Sequence, residues 1–324
     1  MKKILLLMTV LLLIIGSVCT SCGNEVQYTI GICQQTPHIA LDSSTQGFKD
    51  ALIAEFGEGN VVFLEQNAQG ESTSCTSIIN NFVNRNVDLI LANATTALQA
   101  AVNGTTEIPV LGTSITDYGT VLGIENFTGL PGTNVSGTSD LTPLDQQAQM
   151  ILELYPDAKK VGLLYCSAEP NSDYQINGIR TYLEQAGITC TDYAFFDTNE
   201  IAAVAQACAA DSDVIYIPTD NTAASSAQAI CGAILHTGVP IIGGDEGICA
   251  SCGIATLCID YYELGKLTGQ MAVKILKGEA DIAEMPIEYA PEYLRLYNPD
   301  LCAELGVDTA YLESLGYKPI TNVQ

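Results

Sequence analysis

The sequence predicts an α/β protein built as two similar lobes, each a parallel sheet flanked by helices. Short runs rich in β-branched residues alternate with longer segments of helical period, the pattern of a parallel sheet covered on both faces. That alternation yields about ten strands, a number at which open sheets usually split. The second half of the chain also repeats the first in the order and length of its segments.

A leader precedes the first strand. Lys2 and Lys3 form a positive start, Ile4 to Ile15 are apolar except for Thr9, and Gly16, Ser17, Thr20 and Ser21 are small, as a secretion signal with a cleavage region requires. The apolar run is short for a membrane span. Ser21 followed by Cys22, Gly23 and Asn24 looks like a bacterial lipobox, in which the cysteine is acylated and opens the mature chain. Residues 1–22 are therefore expected to be a lipoprotein signal, leaving the protein anchored at the outer face of the cytoplasmic membrane. Cys19 is a second acceptor, but Val18 fits cleavage less well than Ser21; a plain signal peptide or an N-terminal anchor is the alternative.

The first lobe reads as strands YTIGIC, VVFLEQ, VDLILA and IPVLGTS, with helices starting near Ser43, Ser72 and Ala94. Ser43 and Ser72 are suitable N-caps, and Gly57 and Gly104 suitable stops. A Gly-rich connection runs from Tyr118 to Gly132, and Asn134 to Asp140 reads as a strand leaving this lobe. The second lobe opens with a helix near Pro143 and carries strands VGLLYC, ITCTDYAF, DVIYIPTD, VPIIGGD and IATLCID. Helices intervene from Asn171, Glu200, Asn221 and Tyr261.

Composition excludes several functions. The chain has 12 Lys plus Arg against 37 Asp plus Glu, a formal charge of −25, which repels nucleic-acid phosphates and anionic lipid headgroups. Of its 12 cysteines, Cys33, Cys166, Cys208, Cys231 and Cys258 lie in apolar strand or helix patterns and are expected as free core thiols. Cys249 and Cys252 form a C-x-x-C in the loop-like GICASCG, with no second pair or nearby His to complete a zinc set. No G-x-S-x-G, H-E-x-x-H or Walker lysine motif is present, and no G-x-G-x-x-G follows Cys33, so neither catalysis nor a cofactor is expected.

In open α/β sheets, ligands bind outside the carboxyl ends of the strands. Here those ends carry Gln34-Gln35, Asn67-Ala68-Gln69, Asn93-Ala94-Thr95, Ser114 to Asp117, Ser167 to Glu169, Thr219 to Asn221, Asp245-Glu246 and Asp260-Tyr261. Both lobes thus present polar rims, and a cleft between facing rims is the expected site.

Along these rims the chain resembles the substrate-binding lipoproteins of ABC transporters, in the type I periplasmic-binding-protein superfamily and its subgroup associated with tryptophan and other aromatic amino acids. GICQQTPHIALD, NAQGE, VDLILANAT, SITDYG, NVSGTSDLTP, SAEPNS, YIPTDNT and IDYYELGKLTGQMAVKILKG carry the resemblance over almost the whole mature chain. Cys166, Tyr118 and Gly244 depart from the subgroup's common residues. The resemblance implies two Rossmann-like lobes hinged by three crossings, near Asp140, Asp260 and Tyr289. One lobe would hold residues 23–140 with 261–288, the other 141–260 with 289–324. It further implies a non-enzymatic receptor that captures an amino acid, aromatic by preference, for an ABC permease with its ATPase.

An α-amino acid presents a carboxylate and an ammonium. Helix N-termini suit the carboxylate, and the candidates are Thr95-Thr96 and Asn171-Ser172 with Ser167 beside them. Asp220 and Asp245 could accept charge-assisted bonds from the ammonium, with Glu169 and Asp117 in reserve. Gln34 and Asn67 sit on first-lobe rims, and Tyr118 or Tyr261 could stack on a ring. Each has a structural alternative: Asp220-Asn221 and Thr95 could cap their own helices, His38 could be a hydrogen-bonded structural residue, and either tyrosine could be packing. The same fold with a nucleoside or sugar, or an extracellular hydrolase using Asp220 and Asp245 as acid and base, are the competing readings.

Overall fold

The computed structural model describes residues 27–321, so the leader and the expected acylation at Cys22 lie outside the described residues. In the first lobe β1 (Tyr28–Gln34), β2 (Val61–Asn67), β3 (Leu89–Asn93), β4 (Val110–Ile115) and β5 (Val135–Ser139) alternate with α1 (Ile39–Phe56), α2 (Ser72–Asn84), α3 (Thr95–Gly104) and α4 (Tyr118–Leu122). The second lobe opens with α5 (Leu144–Leu154) and continues through β6 (Lys160–Cys166), α6 (Pro170–Gln185), β7 (Thr189–Phe195), α7 (Ile201–Asp211) and β8 (Val214–Ile217). Then follow α8 (Asn221–Ser225), α9 (Ala227–Ile234), β9 (Ile241–Gly243), α10 (Glu246–Ser251) and β10 (Ala255–Cys258).

The strand order is 2-1-3-4-5 in both lobes, β2-β1-β3-β4-β5 in the first and β7-β6-β8-β9-β10 in the second, with every one of these pairings parallel. The expected repetition is real at the level of topology. Central strands are covered on both faces and read as unbroken apolar runs; all of Leu89–Asn93 and Val214–Ile217 is buried. The edge strands β2 and β7 expose Glu65 and Asp192, because one side of an edge meets water. Successive residues feed opposite faces: Leu89 and Leu91 join the cluster holding Phe48 and Met271, while Ile90 and Ala92 join the one holding Phe82 and Leu98.

The chain crosses between sheets three times. It leaves β5 at Asp140, returns from β10 through Asp260 into α11 (Tyr261–Leu276), and adds β11 (Glu288–Tyr289) beside β5. It then crosses back to β12 (Leu294–Tyr297), antiparallel to β10, and ends through α12 (Pro299–Leu305), α13 (Thr309–Ser314) and β13 (Lys318–Pro319). The returning α11 packs along α1 at backbone distance: a Cβ on Gly265 would collide with the Ser44 carbonyl, and one on Gly269 would stand 2.7 Å from the Phe48 carbonyl. Gly265→Ala forces these helices apart. It is expected to destabilise by about 3 kcal/mol, seen as a melting midpoint lower by roughly 6 to 12 °C.

Several local expectations are corrected. The first helix starts at Ile39, five residues after the end of β1, so Ser43 lies inside it. Glu71, not Ser72, holds the cap position of α2. The Gly-rich connection contains α4, capped by Asp117, whose carboxylate accepts the Thr120 N–H at 2.8 Å. GICASCG is not a loop: Cys249 lies within α10 and Cys252 at its end, both buried and free. The thiols of Cys33, Cys166, Cys208, Cys231 and Cys258 are free as expected, with Cys231 only half-buried. Among the described residues no helix is long and apolar enough to cross a membrane.

Candidate functional site

In a 2-1-3-4-5 sheet the connections diverge between the first and third strands, opening a crevice at their carboxyl ends. In the first lobe this point lies between Gln34 and Asn93, and in the second between Cys166 and Pro218. The two crevices face each other. His38 Nε2 of the first lobe stands 3.1 Å from Asn221 Oδ1 of the second, and a Cβ on Gly247 would lie 4.0 Å from that of Ile39. The rims are in contact, so the cleft is closed.

Four carboxyl groups are buried along it: Asp140, Glu169, Asp220 and Asp245, each at most 3 % exposed. Among the described residues no cation is paired with them. The ion pairs among the described residues join surface side chains, and none engages these four. Burial pushes Asp220 and Asp245 up to about 7 and Asp140 up to about 6. Glu169 adds to the rise at Asp220, and Asp140 to that at Asp245. Uncompensated buried charge is costly, and a cationic ligand group would relieve it.

The carboxyls differ in what they already hold. Asp220 accepts the Cys166 N–H at 2.6 Å, the Ser172 hydroxyl at 2.8 Å and the Ala223 N–H at 2.8 Å, joining β6, α6 and α8. Glu169 accepts from the backbone and side chain of both Asn221 and Thr222 and from the Asn171 amide. These two are braced inside the second lobe. Asp245 draws on backbone N–H groups alone, with Oδ1 on the Ile248 N–H at 2.9 Å and the Gly247 N–H beside it, and no hydrogen bond found among the described residues reaches Oδ2. Asp140 takes Thr116 Oγ1 and Tyr261 OH, each at 3.0 Å, at the first crossing.

Other sequence-predicted residues divide the same way. Thr95 Oγ1 and Asn171 Oδ1 are buried at the rims without a partner, whereas the Thr96 N–H is bonded to Gln35 Oε1 at 3.0 Å. Gln34 is occupied by Thr36, Asp42 and Thr45, and Asn67 closes a turn onto Gln69. Ser167 bonds the Phe195 carbonyl at 3.2 Å. Asp117 caps α4. Both tyrosines are buried with their hydroxyls bonded inside the protein. Tyr118 is 2 % exposed with its hydroxyl on the Thr138 carbonyl, and Tyr261 is 4 % exposed with its hydroxyl on Asp140. Asp220 has both oxygens on protein donors, which sets it apart from Asp245.

Asp140 is absent from the rim residues read from the sequence, although it ends β5 and the end-of-strand rule selects it too. His38, weighed there as a hydrogen-bonded structural residue, is hydrogen-bonded, with its partner Asn221 supplied by the second lobe. A large groove of about 960 Å³ lies at the hinge edge and meets the rim through Thr116, Asp117 and Ser139, but none of the four buried carboxyls lines it.

Comparison with known proteins agrees with this geometry. The profile of the family described as ABC transporter substrate binding protein matches residues 29–317. A tyrosine-binding protein of Clostridioides difficile is 31% identical over 299 residues, covering 91% of this chain and 85% of the relative. The structure of an ABC domain from Streptococcus pneumonia in complex with L-Trp superposes with a TM-score of 0.85 at 31% identity, over 91% of this chain and all of that one. The ligand-free, open structure of a Clostridium difficile substrate-binding protein with adhesive properties gives a TM-score of 0.68 at 32% identity, covering 91% of this chain and 100% of that one. At nearly the same identity the closed lobes seen here superpose better on the Trp complex than on the open form. With two hinged α/β lobes of the type I periplasmic-binding-protein fold and rims closed over a polar cleft, the chain belongs to the family of ABC transporter substrate-binding proteins.

Proposed function

We propose that this protein captures an aromatic L-amino acid between its lobes and delivers it to an ABC permease with its ATPase, without chemical change and without a cofactor. The observation that carries an amino acid is the set of buried carboxyls with no protein cation. Asp245, with its unused Oδ2, receives the ammonium, with Asp140 adding negative potential from the hinge and Asn171 Oδ1 a further acceptor. The N-terminus of α3, with the unpartnered Thr95 hydroxyl, receives the carboxylate. Asp220 and Glu169 hold the second-lobe rim in shape. The preference for an aromatic side chain rests on the tyrosine-binding and Trp-bound relatives.

A thermal-shift panel of the twenty L-amino acids, nucleosides and simple sugars tests this reading. A ligand that binds only the folded state stabilises it by about 2.7 kcal/mol at a hundred times its Kd. Trp, Tyr or Phe is expected to raise the midpoint most. Stabilisation by a nucleoside or sugar, with none by these three, refutes the ligand class.

The membrane anchor is part of the same proposal. Acylation at Cys22 would tether the receptor beside its permease, and Cys22→Ala is expected to move the protein from the membrane to the soluble fraction. Release by Cys19→Ala in its place would assign the anchor to the other cysteine.

A further inference from the structure

Away from the three crossings, a single side-chain hydrogen bond joins the lobes among the described residues: His38 Nε2 to Asn221 Oδ1, 3.1 Å. The direction of this bond follows from its neighbours. Asn221 donates its Nδ2 to Glu169 Oε2 at 2.8 Å, and a carboxylate only accepts, so the amide is oriented with Oδ1 toward His38. His38 must then donate from Nε2, which fixes the neutral imidazole with its hydrogen on that nitrogen and leaves Nδ1 as a buried acceptor without a partner. Burial holds the imidazole below its ordinary pKa, favouring this neutral form against the opposing pull of the Asn221 hydrogen bond and, after it, of Glu169 and Asp42.

The bond has mechanical consequences. His38 precedes α1, the helix that packs along the returning α11, so its position is fixed by the first lobe's most intimate helix pair. Asn221 begins α8 and is tied through Glu169 to the start of α6, so its position is fixed by the second lobe. Opening the hinge must break this bond, and closing must remake it.

We propose that the His38–Asn221 hydrogen bond is a latch that holds the lobes shut over the bound solute and sets how fast it is released. His38 is thus a positioning residue, acting on the closed state and not on the ligand's chemistry. The proposal rests on the reading of the cleft as an amino-acid site, and the test separates the two.

The chain contains no Trp, so tryptophan fluorescence in a complex with L-tryptophan comes from the ligand alone. Stopped-flow displacement of L-tryptophan by excess L-phenylalanine is expected to run about tenfold faster in His38→Ala, the effect of one hydrogen bond of ordinary strength. Association should change by less than about twofold, because the bond forms only as the lobes come together after encounter. His38→Gln, which keeps an N–H donor, should recover most of the slow release. In an Asn221→Ala background, His38→Ala should add less than about a twofold change. Unchanged release in His38→Ala, or effects that simply add in the double variant, overturns the latch. If the wild type binds no amino acid, the ligand reading fails, and small-angle scattering of the ligand-free chains decides the latch. A larger radius of gyration for His38→Ala than for wild type supports it, and equal radii overturn it.

Discussion

Asp245→Asn is expected to abolish most amino-acid binding while making the ligand-free protein more stable. The two effects share one cause. A buried ammonium that loses its carboxylate loses about 2 to 5 kcal/mol, or roughly 30- to 5,000-fold in affinity. The empty site is the reverse case: the Asp245 carboxyl is buried without a cation, and removing its charge removes a desolvation cost. Asn can keep the bond to the Ile248 N–H and is itself a good N-cap, so the start of α10 survives. Calorimetric titration and a melting curve on the same sample check both signs. Loss of binding with loss of stability would mark Asp245 as scaffold. The contrasting site is Asp220, whose three protein donors make it scaffold already.

Stability and affinity are expected to respond to pH in opposite directions. In the ligand-free protein burial holds Asp245 at about 7 and Asp140 at about 6, above the value near 4 of an exposed aspartate. The folded state therefore binds more protons than the unfolded state between about pH 4 and pH 7, and its stability falls as pH rises across that window. An ammonium requires ionised carboxylates, so affinity rises over the same interval and approaches its plateau above about pH 7. Between pH 5 and pH 7 the gain is expected to be at least about tenfold, since each titrating group contributes up to tenfold per pH unit below its pKa. Binding near pH 6 should release protons, measurable as a dependence of calorimetric heat on buffer ionisation. General repulsion across a surface of charge −25 also lowers stability with rising pH, so the diagnostic quantity is the flatter slope of Asp245→Asn.

The strands were legible because parallel strands covered on both faces must be continuous apolar runs, as in Leu89–Asn93 and Val214–Ile217. Helix starts were less so. Ser43 has the chemistry of a cap, yet Ala40, Leu41 and Ser44 already belong to the buried face of α1, and packing of that face against α11 outweighs a local cap preference. Five residues give α4 too little periodicity to stand out from its glycines. The C-terminal strands β11 and β13 are two residues each and carry no pattern of their own.

The rims of the cleft were legible from the end-of-strand rule, but the division of labour along them was not. Whether a carboxylate faces a ligand or the protein depends on donors distant in sequence. Asp220 is taken by a backbone N–H from β6 and a hydroxyl from α6, and Glu169 by Asn221 and Thr222. Sequence chemistry alone places Asp220 and Asp245 on equal terms; tertiary structure leaves only Asp245 with a free oxygen. Tyr118 and Tyr261 show the same effect, since both rings suit a stacking role and both are buried with their hydroxyls bonded within the protein.

Buried carboxylates with no protein cation among the described residues are expected to bind the ammonium of an amino acid. The most direct measurement is calorimetric titration of the purified protein with L-phenylalanine and with 3-phenylpropionate, which keeps the ring and carboxylate and lacks the amine. Binding of the first is expected, with at least about a thirtyfold weaker response to the second. Equal affinity for the two would contradict it.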